Sequence, residues 1–229
     1  MNKILVSCPT ADVKDYAFNE WINNVNNFTY NNYDIHVVDN SETREYLKEI
    51  KTKYEDIATF ERVSPIQYSS FKMALAKSHD KCRLKALNND YDYLLHLESD
   101  VFPPLDIIER LLDHKKNIVG ALYFIEEGEQ SKLMIQGVED FGVSHRETYN
   151  YDETEIDFVN GELKNVYSCG LGCVLIHRSI LKKIPFRYEE GSPVHPDSFY
   201  YGDLNMAGKK VFVDTSILCE HKNTSLLRL

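Results

Sequence analysis

Tyr93-Leu94-Leu95-His96-Leu97-Glu98-Ser99-Asp100-Val101-Phe102-Pro103-Pro104 is the stretch on which the fold turns. Its first five residues form a near-continuous apolar run, as expected of a strand covered on both faces, and Pro103-Pro104 then opens a helix through about Leu112. In a strand the side chains of residues i and i+2 point the same way, so Glu98 and Asp100 are expected side by side at its carboxyl end. That edge is where open α/β sheets hold ligands. Two like charges about 5 Å apart at an effective dielectric near 20 repel by roughly 3 kcal/mol, so the pair calls for a cation or a shared proton. A hard divalent ion with oxygen ligands meets that need. On spacing alone, the alternative is that Asp100 caps the helix beyond Pro103 while Glu98 is solvated.

Working outward, strand and helix patterns alternate. Residues 4–8 are a short apolar run, and in 14–25 Tyr16, Phe18, Trp21, Ile22 and Val25 recur at roughly helical spacing. Residues 34–39 form a second strand, closed by Asn40-Ser41 and followed by a helix over 42–50. Ser69 or Ser70 caps a longer helix in which Phe71, Leu75, Ser78, Cys82 and Ala86 share a face, and Asn88-Asn89-Asp90 ends it. Strand returns at 117–124. Beyond Glu126 the alternation weakens, with a hairpin signal at Asn160-Gly161 between 156–158 and 163–166. Residues 173–176 resume the strand pattern, a short helix follows at 179–183, a capped segment begins near Asp197, and 211–213 and 217–219 close the chain. This pattern predicts one α/β domain over residues 1–229: a mostly parallel central sheet, helices on both faces and a small antiparallel addition.

Composition narrows the class. In 229 residues, 43% hydrophobic and 12% aromatic content supplies a core and excludes a disordered chain. With 26 basic against 36 acidic side chains the net charge is −10, so no stable binding to nucleic-acid phosphates is expected. The longest mostly apolar run, 166–176, carries a serine and two glycines and is too short for a membrane span. The apolar start stops at Ser7, too soon for a secretory leader. Five cysteines scattered through apolar segments fit buried thiols in a reducing, cytoplasmic setting.

The decisive stretch, preceded by Asn89-Asp90-Tyr91-Asp92 and followed after its helix by Ile118-Val119-Gly120-Ala121-Leu122-Tyr123-Phe124, resembles GT-A glycosyltransferases of the family 2 type. The likeness recurs in Ser168-Cys169-Gly170-Leu171-Gly172-Cys173 through Arg178, in 197–208, and in Lys210-Val211-Phe212-Val213-Asp214 with Cys219-Glu220-His221. Residues 126–167 are unmatched. The resemblance implies that residues 1–125 form a nucleotide-binding half and 126–229 an acceptor-side half. The resemblance implies a non-processive, inverting transfer of a sugar from a nucleotide sugar, UDP-linked by preference, to an acceptor hydroxyl. It also implies Mn²⁺, or Mg²⁺, held by Asp100 and His221 with Glu98 assisting, and Asp197 as general base. Asp39 would accept from the base or ribose, Pro9 and Thr10 would lie against the base, Ser99 would join Glu98 and Asp100 in binding the donor, and Arg83 would face the phosphates. Two residues depart from the family pattern: Glu98 replaces its first Asp, and Pro196 stands where a Glu precedes the base. The Gln-x-x-Arg-Trp signature of processive synthases is missing, and Trp21 is the only tryptophan.

Rival readings stay open at this level. A sugar-nucleotide nucleotidyltransferase shares the sheet and metal logic, but Ser7-Cys8-Pro9-Thr10 is no glycine-rich phosphate loop. An inactive module that binds a glycan or partner would keep the fold without turnover. Asp197 has an alternative as a helix cap, His221 as a strand histidine, Arg83 as half of a surface ion pair and Asp39 as turn chemistry. The acceptor, whether glycan, protein, small molecule or modified nucleobase, is not written in the composition.

Overall fold

The computed structural model describes residues 1–127, 130–138 and 160–222. From the N-terminus, β1 (Ile4–Thr10), α1 (Asp15–Asn26), β2 (Tyr33–Asp39), α2 (Glu45–Tyr54), β3 (Ala58–Arg62), α3 (Phe71–Asn88) and β4 (Tyr93–Leu97) alternate as expected. They are followed by β5 (Val101–Phe102), α4 (Ile107–Asp113), β6 (Ile118–Glu127), β7 (Gln130–Leu133) and β8 (Gln136–Val138). The chain then continues through β9 (Leu163–Ser168), β10 (Cys173–His177), α5 (Arg178–Leu181), α6 (Pro196–Met206) and β11 (Val211–His221). The sheet order is β3-β2-β1-β4-β10-β6-β11-β9-β8, with β5 on β11 and β7 on β6. Strands β1 to β4, β6 and β11 all run the same way, and β10 is the reversed strand between β4 and β6. The antiparallel addition is β8-β9-β11 together with the β6-β7 pair. The Asn160-Gly161 bend precedes β9, while the partner segment 156–158 expected for it lies outside the described residues.

Period-two alternation divides each central strand between two cores. Ile4, Val6 and Cys8 of β1 and Leu95 and Leu97 of β4 face one cluster, and Leu5 and Leu94 face the other. On the first face α1 lays down Phe18, Trp21, Ile22 and Val25, spaced three and four apart, beside Tyr46 and Ile50 of α2 and Ile107 and Leu111 of α4. On the second, α3, α5 and α6 contribute Ala74, Cys82, Ile180, Leu181, Tyr200 and Leu204. All five cysteines are buried free thiols. Among the described residues no helix is long and apolar enough to cross a membrane.

Three expectations change in detail. β3 carries little apolar signal (Ala-Thr-Phe-Glu-Arg) and forms the sheet edge on β2. The segments 211–213 and 217–219 are one strand interrupted by a register shift between Asp214 and Leu218. Glu98, Ser99 and Asp100 lie past the end of β4 in a tight turn, closed by Val101 N–H on the Glu98 carbonyl at 3.0 Å. The two carboxylates are therefore brought together by that turn rather than by strand alternation.

The glycine stretch before β10 is a platform under this turn. The Gly170 carbonyl accepts from the Tyr201 hydroxyl, the Leu171 carbonyl from His96 Nδ1 at 2.7 Å, and the Gly172 carbonyl from Glu98 N–H at 2.9 Å. Glycine is required at two of these positions. Gly170 has φ +65°, and a Cβ on Gly172 would lie 2.4 Å from Tyr123 Cζ, whose hydroxyl receives the Gly172 N–H at 3.1 Å. Gly172→Ala is expected to cost about 1–3 kcal/mol through overpacking against a buried ring. Thermal unfolding should register this as a drop of about 2–4 °C per kcal/mol; an unchanged Tm would show that Tyr123 is free to move.

Candidate functional site

Glu98, Asp100 and His221 converge at the carboxyl edge of the parallel strands. Each offers a ligand atom, and these atoms all lie within 4.8 Å of one another. The turn after β4 supplies the carboxylates. His221, far away in sequence, arrives because β11 pairs with the two-residue β5, matching His221 to Val101, and Lys222 N–H then bonds the Asp100 carbonyl at 2.9 Å. Asp100 is fully buried. Its Oδ2 is surrounded by the Lys14 ammonium, the Tyr16 hydroxyl at 2.9 Å and His221 Nε2 at 3.4 Å, whereas its Oδ1 is buried with no hydrogen-bond partner. Asp100 does not cap the following helix, whose N-cap is Asp106.

The electrostatics follow from this crowding. Burial pushes the Glu98 carboxyl up, against the lowering pull of Lys14. Burial also opposes ionisation of Asp100, but the hydrogen bond from His221 and the Lys14 ammonium outweigh it and hold this carboxyl below its ordinary range. Desolvation acts against the charge on Lys14 and on His221, and in both the neighbouring carboxylates prevail and raise the pKa. His221 Nδ1 bonds the Phe124 carbonyl at 2.7 Å; a carbonyl only accepts, so Nδ1 carries the proton and Nε2 is the nitrogen that could serve as a ligand once its own proton leaves.

These residues fit a divalent cation. One buried carboxylate oxygen lacks any partner, a second carboxylate adjoins it, and an imidazole nitrogen is oriented by a backbone acceptor. Mixed carboxylate and imidazole donors suit manganese, with magnesium a less close match.

A cleft of ≈ 400 Å³ opens beside the three groups, lined in part by Pro9, Thr10, Glu98, Ser99 and Asp100. That volume falls in the range of small-molecule sites, about 300–1,000 Å³. Thr10 and Ser99 hydroxyls meet at 3.0 Å, tying the end of β1 to the carboxylate turn. Five of the residues expected from sequence thus share one cavity.

Of the other four, His221 meets the carboxylates from β11 and Asp197 reaches the cleft only through His195, while Asp39 and Arg83 are held elsewhere. Asp39 is fully buried and accepts from the Ser41 N–H and hydroxyl at 3.1 and 2.5 Å, beside Arg62 at 3.3 Å, while its neighbour Asn40 lines the cleft. Arg83 pairs with Asp80 and donates to the Leu181 carbonyl at 2.9 Å. The cause is distance along α3: Phe71, Leu75 and His79 line the cleft, and Arg83 comes a further turn down the axis, about 6 Å on.

Asp197 is not a helix cap. The N-cap of α6 is His195, Pro196 takes the first helical position, where its missing N–H costs nothing, and Asp197 lies in the first turn. The oddity of Pro196 is thereby explained locally. Asp197 Oδ1 pairs with His195 Nδ1 at 3.0 Å, and His195 lines the cleft. The sequence reading missed His195, His79 and Lys14. Their contribution rests on long-range packing, which no local pattern encodes.

No protein-family profile matches the chain, and a search of curated proteins finds no match. Solved structures do match. S. aureus TarS superposes with a TM-score of 0.57 at 14% identity over 98% of this chain and 38% of that one. TarS 1-349 in complex with UDP-GlcNAc gives 0.59 at 14% identity, covering 96% and 59%. GalNAc-T7 with UDP, GalNAc and Mn²⁺ gives 0.63 at 14%, covering 96% and 44%. The chain therefore spans between 38% and 59% of the length of these structures, and at such identity the likeness shows a shared fold.

Proposed function

We propose that this chain, whose fold is that of the GT-A glycosyltransferases, is a metal-dependent, inverting, non-processive glycosyltransferase that moves a sugar from a nucleotide donor, UDP-linked by preference, to an acceptor hydroxyl. The observation that carries this reading is the convergence of Glu98, Asp100 and His221 within 4.8 Å at the ligand-binding edge of the sheet, with a buried Asp100 oxygen lacking a partner. Solved structures with this fold include complexes with UDP-GlcNAc and with UDP, GalNAc and Mn²⁺, which supports the donor class and the ion.

Asp100 and His221 would hold the metal, with Glu98 adjoining. When bound, the ion supplies Lewis-acid neutralisation of the charge that builds on the departing nucleoside diphosphate. The chain does the rest. Asp197 takes the proton of the acceptor hydroxyl as that oxygen forms its bond to the anomeric carbon, and the bond from that carbon to the diphosphate oxygen breaks on the opposite side. Configuration inverts as a result. His195, bonded to Asp197 Oδ1, fixes which carboxylate oxygen stays free for the proton. Lys14, paired with Asp100 and lining the cleft, would add a positive charge for the diphosphate. Pro9 and Thr10 present a wall to the base, with Ser99 holding Thr10 in place. Asp39 acts indirectly by fixing the loop that carries Asn40 into the cleft.

The test is donor turnover. Incubation with a panel of UDP-, GDP- and dTDP-sugars and Mn²⁺ should release nucleoside diphosphate from at least one donor, by transfer or slow hydrolysis. A panel with no turnover at all would contradict the reading and favour an inactive binding module.

A further inference from the structure

Two buried imidazoles that the mechanism above does not use lie one behind the other beneath the cleft. His96 on β4 is fully buried and His79 on α3 is 3% exposed. His96 Nδ1 is 2.7 Å from the Leu171 carbonyl, and His96 Nε2 is 2.8 Å from His79 Nδ1. The carbonyl can only accept, so His96 carries its proton on Nδ1 and presents a lone pair on Nε2. His79 must then donate from Nδ1, which leaves a lone pair on its own Nε2. That nitrogen has no protein partner among the described residues, and His79 lines the cleft with Glu98, Ser99, Asp100 and His195.

Burial keeps the pair neutral. Neither ring makes an ion pair among the described residues, so nothing offsets the cost of a charge buried there. Burial drives His79 well below the ordinary histidine value, with His96 and His195 acting in the same direction. The tautomers of the neutral pair are thus set by the Leu171 carbonyl through two successive hydrogen bonds. Packing locks the rings as well: Phe186 lies against both, with centroids 5.6 Å from His79 and 6.0 Å from His96. Apolar side chains would fill these interior positions without needing partners, so the relay's distinctive product is one pre-oriented acceptor facing the cleft.

We propose that His79 is a substrate-binding residue whose Nε2 accepts a hydrogen bond from a hydroxyl of the bound nucleotide sugar, on its ribose or its transferred sugar, and that His96 is the positioning residue that sets its tautomer. This deepens the proposed function and rests on it. A site built to accept from a hydroxyl discriminates strongly against ligands that lack it, because the buried acceptor is then left unpaired.

Calorimetric titration of the intact chain tests this without requiring turnover. The probes are UDP, GDP and dTDP and a sugar conjugate of each, with Mn²⁺. His79→Phe keeps the ring against Phe186 and removes the acceptor; it should weaken binding about tenfold to a hundredfold. Loss confined to the sugar conjugate assigns the bond to the transferred sugar, and equal loss for the free diphosphate assigns it to the ribose; both support the proposal. His79→Gln, which restores an acceptor, should recover much of the affinity. His96→Asn keeps a donor for Leu171 but removes the acceptor behind His79, so His79 can invert its tautomer and affinity should fall. Nitrogen-detected NMR of the wild-type histidines, with Mg²⁺ replacing paramagnetic Mn²⁺, should show the Nδ1–H tautomer of His79 and a ligand-induced shift at Nε2. This readout holds even where a variant fails to fold. Wild type that binds no probe would overturn the proposed function and this inference with it. Wild type that binds normally, beside a folded His79→Phe of equal affinity or an Nε2 signal unmoved by ligand, would overturn the inference alone.

Discussion

Asp100→Asn is expected to remove Mn²⁺ binding and to lower turnover by on the order of 10³-fold or more, since charge stabilisation by a bound cation is worth several kcal/mol and each 1.36 kcal/mol is a factor of ten. The substitution changes little in shape and much in charge. It removes one of the two negative groups of the site and the acceptor that His221 Nε2 and Lys14 share. It also leaves the half-buried Lys14 ammonium without its closest counter-ion, so some stability should be lost alongside activity. Manganese affinity followed by electron paramagnetic resonance separates the two effects. A folded variant that still binds the ion as wild type does would show that Asp100 is no ligand.

Asp197→Asn is expected to lower turnover by about 10²- to 10⁴-fold, the usual contribution of a positioned proton acceptor, while leaving nucleotide and Mn²⁺ binding intact. Asparagine still accepts from His195 but cannot take a proton from the attacking hydroxyl. Asp197 is not among the residues that line the cleft, although its partner His195 is, so the donor should still bind. Turnover and binding measured on the same preparation decide the matter. A variant of undiminished turnover would move the base elsewhere, with His195 the first residue to examine.

The sequence was most readable where a residue's fate depends on its neighbours in the chain. β1, β2 and β4 are compact apolar runs with turn residues after them, and α1 declares itself through Phe18, Trp21, Ile22 and Val25 on one face. β3 escaped because an edge strand with one buried face needs few apolar residues. The bulge between Asp214 and Leu218 made one long strand look like two.

Within the candidate site, Glu98 and Asp100 stood out through their spacing, although a turn, not the strand, unites them. The meeting with His221 depends on the β5-β11 pairing, which no local pattern encodes; family resemblance alone suggested it. Lys14, His79 and His195 were invisible for the same reason, since each becomes informative only beside a partner on another segment or in the cleft that they share. Arg83 shows the converse. A guanidinium suits phosphate in the abstract, but its helix carries it past the cleft to Asp80 and Leu181.

The most direct measurement is anomalous scattering from a crystal soaked with Mn²⁺ and UDP. A single strong peak within bonding distance of Asp100 and His221 Nε2, with the diphosphate on its open side, is the predicted result. A clear nucleotide with no anomalous peak between those side chains, or a peak held by other residues, would contradict the account.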